Sequence, residues 1–179
     1  FVTGLSLDME FDSPDNGTAV TQVDLVMEIS RDLLGPETCA AIDGASDLEE
    51  GFFDNVSIYK IVTSDAYNLF EVASGDQDPF EFFDVSSDDN NYYVYMIMVI
   101  ADEAVPDGEP AVQAFAEDQE NFFFIYDGAE DGQFNDSLVA VKNSENTTSV
   151  SSGGGNCNVG TFPATLGLLM VPLLFLLRR

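Results

Sequence analysis

The chain has 179 residues, of which 33 are acidic, 5 are basic and none is histidine, so its formal net charge is −28. The hydrophobic fraction of 45% is that of a folded domain rather than a disordered acidic tail. Without histidine the chain has no Ser-His-Asp triad, Cys-His pair or imidazole metal site, and the charge argues against nucleic acid as a partner, because no Lys/Arg patch exists to neutralise phosphates.

The charge divides the chain into two regions. All the acidic residues lie in 1–145, where only Arg31, Lys60 and Lys142 oppose them. Residues after Glu145 carry no acid. We therefore expect residues 1–145 to form an acidic domain that is separate from the rest of the chain.

Alternating apolar and polar residues in 1–145 predict half-buried β-strands. The alternation first runs from Leu5 to Phe11 and returns from Val23 to Ile29. The segments between the alternating stretches are rich in Asp, Asn, Gly, Ser and Pro, which favour turns. Further strands are predicted at 55–63, 67–73, 80–85, 111–116, 122–126 and 137–142.

Two segments depart from this alternation. Residues 30–42 surround Gly35-Pro36, and their apolar spacing predicts one or two short helical turns. Residues 92–100 (YYVYMIMVI) form an unbroken apolar run, which predicts a central strand buried on both faces. Eight or nine short strands in this length predict a mainly β fold, an antiparallel β-sandwich of Ig-like or jelly-roll-like type.

Residues 122–141 (FFFIYDGAEDGQFNDSLVAV) contain two predicted strands around an Asp/Gly loop, 127–136. The segment resembles the terminal hairpin of choice-of-anchor β domains, with Ser137 where that pattern has proline. Its oxygen-bearing side chains are of the type that Ca²⁺ prefers. An EF-hand register starting at the first of them fails, because it places Ala129 and Leu138 at ligand positions. The two alternatives are a solvated hairpin turn and an irregular Ca²⁺ loop whose candidate ligands are Asp127, Asp131, Asn135 and Asp136.

Two lesser candidates lie elsewhere in the acidic domain. Asp84, Asp88 and Asp89 form a second, weaker carboxylate cluster. Cys39, in TCAAI, is predicted to be a small buried hydrophobe rather than a reactive thiol.

The end of the chain combines a linker with an apolar segment. Residues 146–155 are uncharged and mostly small, which predicts a flexible linker. Residues 159–177 carry no charge, and as a helix they would measure about 28 Å, close to the thickness of a bilayer core. Arg178 and Arg179 follow, so this end is expected inside and the acidic domain outside. The segment is interpreted as a sorting signal, a permanent transmembrane anchor or a buried core helix.

The order of parts in 151–179 favours the sorting signal. Glycines, one cysteine, a short apolar span and terminal arginines follow one another, and this layout resembles the Synergist-type C-terminal sorting domain (Synerg-CTERM) of bacterial exported proteins. It is similar, more loosely, to the GlyGly-CTERM signals handled by rhombosortases. The resemblance implies that residues 156–179 are the sorting signal, and that a sorting intramembrane protease removes its hydrophobic tail while the region of the cysteine remains on the mature protein. It also implies that Cys157 is the residue recognised or modified, framed by Gly153, Gly154, Gly155, Asn156 and Asn158.

These patterns predict an exported protein of the cell surface. Phe1 is not an initiator methionine, and a C-terminal sorting signal requires export, so we expect a secretory leader upstream. The expected role is structural or adhesive and non-catalytic, with a sorting protease and membrane lipid as partners and an extracellular ligand that the sequence does not identify. One alternative is a Ca²⁺-dependent binding module of the cell envelope. A second is a small hydrolase using a carboxylate pair, for which no pair stands out.

Overall fold

The computed structural model describes residues 3–6, 9–10, 19–75, 77–117, 120–134 and 137–143. All of them belong to the first of two units into which the chain divides, Phe1–Glu145. The predicted linker at 146–155, the apolar segment at 159–177 and the processing residues around Cys157 lie outside the described residues. In the described part of the chain, no helix is both long enough and apolar enough to cross a membrane.

Short strands dominate the described residues, with a group of short helices between the third and sixth strands. In chain order the elements are β1 (Thr3–Ser6), β2 (Met9–Glu10), β3 (Val20–Ser30), α1 (Arg31–Leu34), α2 (Pro36–Asp43), α3 (Leu48–Asn55), β4 (Val56–Val62), β5 (Asp65–Asn68), α4 (Leu69–Ala73), a 3₁₀ turn (Pro79–Phe82), β6 (Asp84–Ser87), β7 (Asn91–Ala101), β8 (Val112–Glu117), β9 (Glu120–Tyr126), β10 (Gln133–Phe134) and β11 (Ser137–Lys142).

The strands form two main sheets that pack together as a sandwich. The first sheet has the order β1-β11-β4-β5 and is antiparallel throughout. The second has the order β3-β7-β9-β8, and β6 also pairs with β7. A small third pair joins β10 to β2. The mainly β sandwich expected from the alternating pattern is therefore present.

Strand β7 is the centre of the second sheet, as its apolar run predicted. β3 pairs with it along its whole length, from Val20 opposite Ala101 to Ser30 opposite Asn91. The other edge of β7 is shared between β6 near its start and β9 near its end. β9 runs parallel to β7, so the sandwich is not purely antiparallel as expected.

The hydrophobic core lies between the sheets and is built from alternate residues of the longer strands, such as β4 and β7, together with buried apolar residues of the helices. On β7 the side chains of Tyr92, Val94, Met96, Met98 and Ile100 are all at most 1% exposed. The intervening side chains, from Tyr93 to Val99, are only half-buried. The prediction that this strand is buried on both faces was therefore wrong for one face.

The helices α1 and α2 confirm the helical turns predicted around Gly35-Pro36. Pro36 occupies the first turn of α2, where its missing N–H costs no hydrogen bond. Gly35 separates the two helices with a φ of 83°, a conformation that favours glycine. Cys39 is buried on α2 with a free thiol, as predicted for a small hydrophobe.

Helix α3 was not predicted, although its start carries a local signal. The Asp47 side chain accepts a hydrogen bond from the backbone N–H of Glu50 at 3.0 Å, which is an N-cap followed by an acidic residue in the first turn. Gly51 lies against α2, where an added Cβ would come within 2.7 Å of the Ile42 carbonyl oxygen. The helix buries Phe52 and Phe53, and the Phe52 ring packs against Tyr92 of the second sheet.

Two of the predicted strands are partly helical. The segment predicted as a strand at 67–73 leaves β5 after Asn68, whose side chain caps α4 by accepting from the N–H of Phe70. The segment predicted at 80–85 begins as the 3₁₀ turn. Phe70 packs 5.1 Å from Phe53 and 5.3 Å from Phe80, measured between ring centroids. This aromatic packing satisfies the apolar residues without a strand.

Candidate metal centre

The Asp/Gly loop after β9 is not a hairpin turn, contrary to the sequence-based expectation. β9 pairs with β7 and β8 in the second sheet, whereas β11 pairs with β1 and β4 in the first. The loop therefore crosses from one sheet to the other. Gly128 and Gly132 have φ values of 96° and 76°, so glycine supplies the left-handed turns of this crossing.

The parallel pairing of β7 and β9 brings two aspartates together. Ala101 ends β7 and lies opposite Tyr126, which ends β9. The next residue after each strand is an aspartate, Asp102 or Asp127. Because both strands run in the same direction, their carboxyl ends meet at one edge of the sheet, and the two carboxylates emerge side by side.

A third carboxylate completes the group. Asp131, from the crossing loop, joins Asp102 and Asp127 so that ligand oxygens of all three lie within 4.8 Å of one another. Within the described ranges, this is the one group of three or more such side chains at that spacing. The cluster could hold a metal ion, and its hard oxygen ligands suit Ca²⁺ or Mg²⁺ rather than a soft metal.

Asp102 is the buried member, and it organises the loop. Its side chain is 5% exposed. Oδ1 accepts hydrogen bonds from the backbone N–H groups of Asp131 at 3.0 Å and Gly132 at 3.2 Å. Oδ2 accepts from the N–H of Gly132 at 3.1 Å. The Asp102 side chain thus fixes the position of Asp131, which is itself exposed.

Asp127 is the member whose hydrogen bonding is incomplete. Its Oδ1 accepts from the N–H of Ala129 at 3.1 Å. Its Oδ2 is buried and has no hydrogen-bond partner among the described residues. Burial raises the pKa of Asp127 to about 6, and the negative charges of Asp102 and Asp131 add to the rise against opposing backbone N–H groups.

The structure thus brings together two of the four predicted ligands, Asp127 and Asp131. It adds Asp102, which the sequence reasoning missed. Asn135 and Asp136 lie outside the described residues. A signal for Asp102 was present, since Ile100-Ala101-Asp102 and Ile125-Tyr126-Asp127 share the pattern of an apolar strand that ends in aspartate.

In the second predicted carboxylate cluster, Asp88 stabilises a turn rather than joining other carboxylates in a metal site. Asp88 lies between β6 and β7, and its Oδ1 accepts from the N–H groups of Asn90 and Asn91 at 2.7 and 2.8 Å. Its Oδ2 accepts from the Tyr93 hydroxyl at 2.9 Å. The N–H donors lower the pKa of Asp88. Asp84 lies on β6 and is not brought into a group of three carboxylates within the described residues.

No protein-family model, curated protein or solved structure matches this chain. Its function must therefore be inferred from the site and from the sequence.

Proposed function

We propose that the chain is a non-catalytic, Ca²⁺-dependent module of the cell envelope, displayed outside the cell by its C-terminal segment. The observation that supports the calcium dependence is the buried Asp127 Oδ2, which has no hydrogen-bond partner among the described residues while two further carboxylates lie beside it. A buried carboxylate oxygen costs free energy unless a donor or a cation satisfies it. A bound cation would satisfy this oxygen and neutralise the repulsion among the three charges.

The role of the ion would be structural. Asp102, Asp127 and Asp131 would hold it, and it would join the carboxyl ends of β7 and β9 to the loop that crosses to the first sheet. Ca²⁺ fits better than Mg²⁺ because it accepts irregular sets of oxygen ligands, whereas Mg²⁺ demands near-octahedral geometry. Extracellular modules bind Ca²⁺ with Kd values of about 0.1–1 mM, which a partly exposed site can reach.

The sequence supports display at the surface. The apolar segment at 159–177 is followed by Arg178 and Arg179, and the net charge of −28 suits a domain held away from anionic lipid. The resemblance of 151–179 to a sorting domain assigns Cys157 to recognition or modification by a sorting protease. The role of the acidic domain would then be structural or adhesive.

Calcium titration tests the first part. At a free Ca²⁺ concentration of about one hundred times Kd, the free energy of unfolding should rise by about 2.7 kcal/mol. Asp127→Asn should lose this gain. Asp107→Asn, which alters an exposed turn residue in the segment between β7 and β8, should keep it. If NaCl at matched ionic strength raised the free energy of unfolding equally, charge screening would explain the effect of Ca²⁺, and the proposed site would be refuted.

Mass spectrometry tests the second part. The intact mass of protein recovered from its native cell envelope should lack the residues beyond the region of Cys157. A mass that retains Arg179 would contradict processing and indicate a permanent anchor. Cys157→Ser should then accumulate as the full-length chain if the cysteine is the recognised residue.

A further inference from the structure

The second sheet presents an apolar face to the outside. Strand register assigns residues to this face, because directly paired residues share a side of the sheet. Ile97 on β7 is paired with Asp24, and Tyr95 with Val26, all pointing away from the core. We call the apolar residues of this side the outer face, and they are Val26, Tyr95, Ile97, Val99, Phe115, Phe122, Phe124 and Tyr126.

Aromatic rings make up one half of the outer face. Phe115 lies 6.0 Å from Phe122 and 6.2 Å from Phe124, and Phe124 lies 5.1 Å from Tyr126, between ring centroids. Phe115 is 42% exposed and Val26 is 57% exposed. Adjoining apolar side chains on this scale indicate an interaction surface, unlike single apolar residues scattered over a surface.

The charge around the outer face has a single sign. Asp24, Asp84 and Glu120 share this side of the sheet with the apolar residues. Strands β3, β6, β7, β8 and β9 contain no lysine or arginine. The basic residues of 1–145 lie elsewhere, at Arg31 on α1, Lys60 on β4 and Lys142 on β11.

A cavity opens at the edge of the outer face, where β6 leaves β7 and β9 joins it. Its volume is about 200 Å³, and its polar lining is Glu81, Asp84, Tyr95, Glu120 and Asn121. The Asn121 amide donates to the Glu81 backbone carbonyl oxygen at 3.1 Å and to its carboxylate at 3.2 Å. Burial and the nearby charges of Asp24 and Glu120 raise the pKa of Tyr95, so the phenol stays neutral there. A cationic side chain entering this cavity would meet three carboxylates.

We propose that the outer face docks a basic amphipathic polypeptide segment, whose apolar side chains cover the aromatic rings and whose Lys or Arg side chain enters the cavity beside Glu81, Asp84 and Glu120. Charge complementarity selects this partner over a second copy of the chain. Two copies packed through this face would bring acidic residues together, without a lysine or arginine on the facing strands. The proposal goes beyond the calcium site and does not depend on it.

Peptide binding to the full chain tests the proposal. The probe is a fluorescein-labelled amphipathic helix of leucine and lysine, and the comparison peptides replace leucine by serine or lysine by glutamate. The leucine/lysine peptide should bind at least about tenfold more tightly than either, because both the apolar and the charged contacts are needed. Equal binding of the serine/lysine peptide would show non-specific attraction to an acidic protein and overturn the proposal.

Matched variants locate the site. Phe115→Ser should weaken binding of the leucine/lysine peptide by about tenfold. Leu33→Ser, which removes an even more exposed apolar side chain on α1, should not change it. Glu120→Gln should weaken binding and flatten its salt dependence, whereas Asp107→Asn should do neither. Equal effects of Phe115→Ser and Leu33→Ser on peptide binding would refute the assignment of the binding site to the outer face. Sedimentation that shows a dimer of the wild-type chain, which Phe115→Ser dissociates, would also refute it, because a second copy would then be the partner.

Discussion

The carboxylates at the two ends of β7 have different partners. At its start, the Tyr92 hydroxyl donates to Asp43 at 2.8 Å, and Arg31 forms an ion pair with the same carboxylate while lying 4.5 Å from the Tyr92 ring centroid. At its end, Asp102 and Asp127 lie beside Asp131. The first carboxylate is neutralised by one of the few cations of the chain. The second group has three negative charges that backbone N–H groups only partly satisfy.

The pKa values of the two regions move in opposite directions. Burial alone would raise the pKa of Asp43, but the bonds from Arg31 and Tyr92 outweigh it and hold the pKa below its usual value. Burial raises the pKa of Asp127 to about 6. The contrast follows from the neighbours of each carboxylate, since Asp43 lies beside a guanidinium and a hydroxyl donor, whereas Asp127 lies beside two other carboxylates.

Removing Asp102 should have the largest effect. Asp102→Ala deprives the N–H groups of Asp131 and Gly132 of their acceptor, so the free energy of unfolding should fall by about 3 kcal/mol in metal-free buffer. Urea unfolding measures this change. Asp107→Ala, in an exposed turn, should change it by less than about 0.5 kcal/mol. A loss no larger than in this control would show that Asp102 does not organise the crossing loop.

Removing the cation at the start of β7 should have a smaller effect. Arg31→Met keeps the apolar stem but loses the ion pair and the contact with the Tyr92 ring. The side chains of Arg31 and Asp43 are 20% and 43% exposed, so solvent screens their attraction and the cost should be about 1 kcal/mol. The cost should shrink in 1 M NaCl. The stabilisation by Ca²⁺ should be unchanged, and its loss would show that the two ends of β7 are coupled.

The pH dependence of the unfolding free energy should have opposite signs for the carboxylates of the two regions. A raised pKa means that the folded state binds the Asp127 proton more tightly, so its contribution to stability is present below about pH 4 and is lost as pH rises through about 6. Asp43, with a lowered pKa, contributes above about pH 4 and loses its contribution only in stronger acid.

Comparison with a variant isolates this effect from the general repulsion of the acidic chain. Between pH 4.5 and 7, metal-free wild type should lose about 1 kcal/mol relative to Asp127→Asn, a figure reduced for the partial exposure of the carboxylate. Unfolding free energies at pH 4.5, 5.5 and 7 provide the test. Parallel curves for the two proteins would mean that Asp127 titrates normally.

Local sequence patterns predicted much of the fold. β11 has the predicted bounds, and β7 exceeds its predicted bounds by one residue at each end, because side-chain alternation and apolar runs are visible within a single strand. The missed helices had local signals as well, in the caps at Asp47 and Asn68. Their apolar residues also fitted strands, and packing among Phe53, Phe70 and Phe80 decided the outcome.

By itself, the sequence determined that the described chain is a β-sandwich of high acidity without histidine chemistry, since composition and alternation belong to each segment separately. Only the tertiary structure decided which carboxylates meet and which apolar face stays outside. Asp102 joins Asp127 because β7 and β9 pair in parallel, although these two aspartates are 25 positions apart along the chain. The outer face is left half-exposed because the first sheet covers only one side of β7. Side-chain periodicity within a strand identifies neither the strands that pair with it nor the elements that pack on its faces.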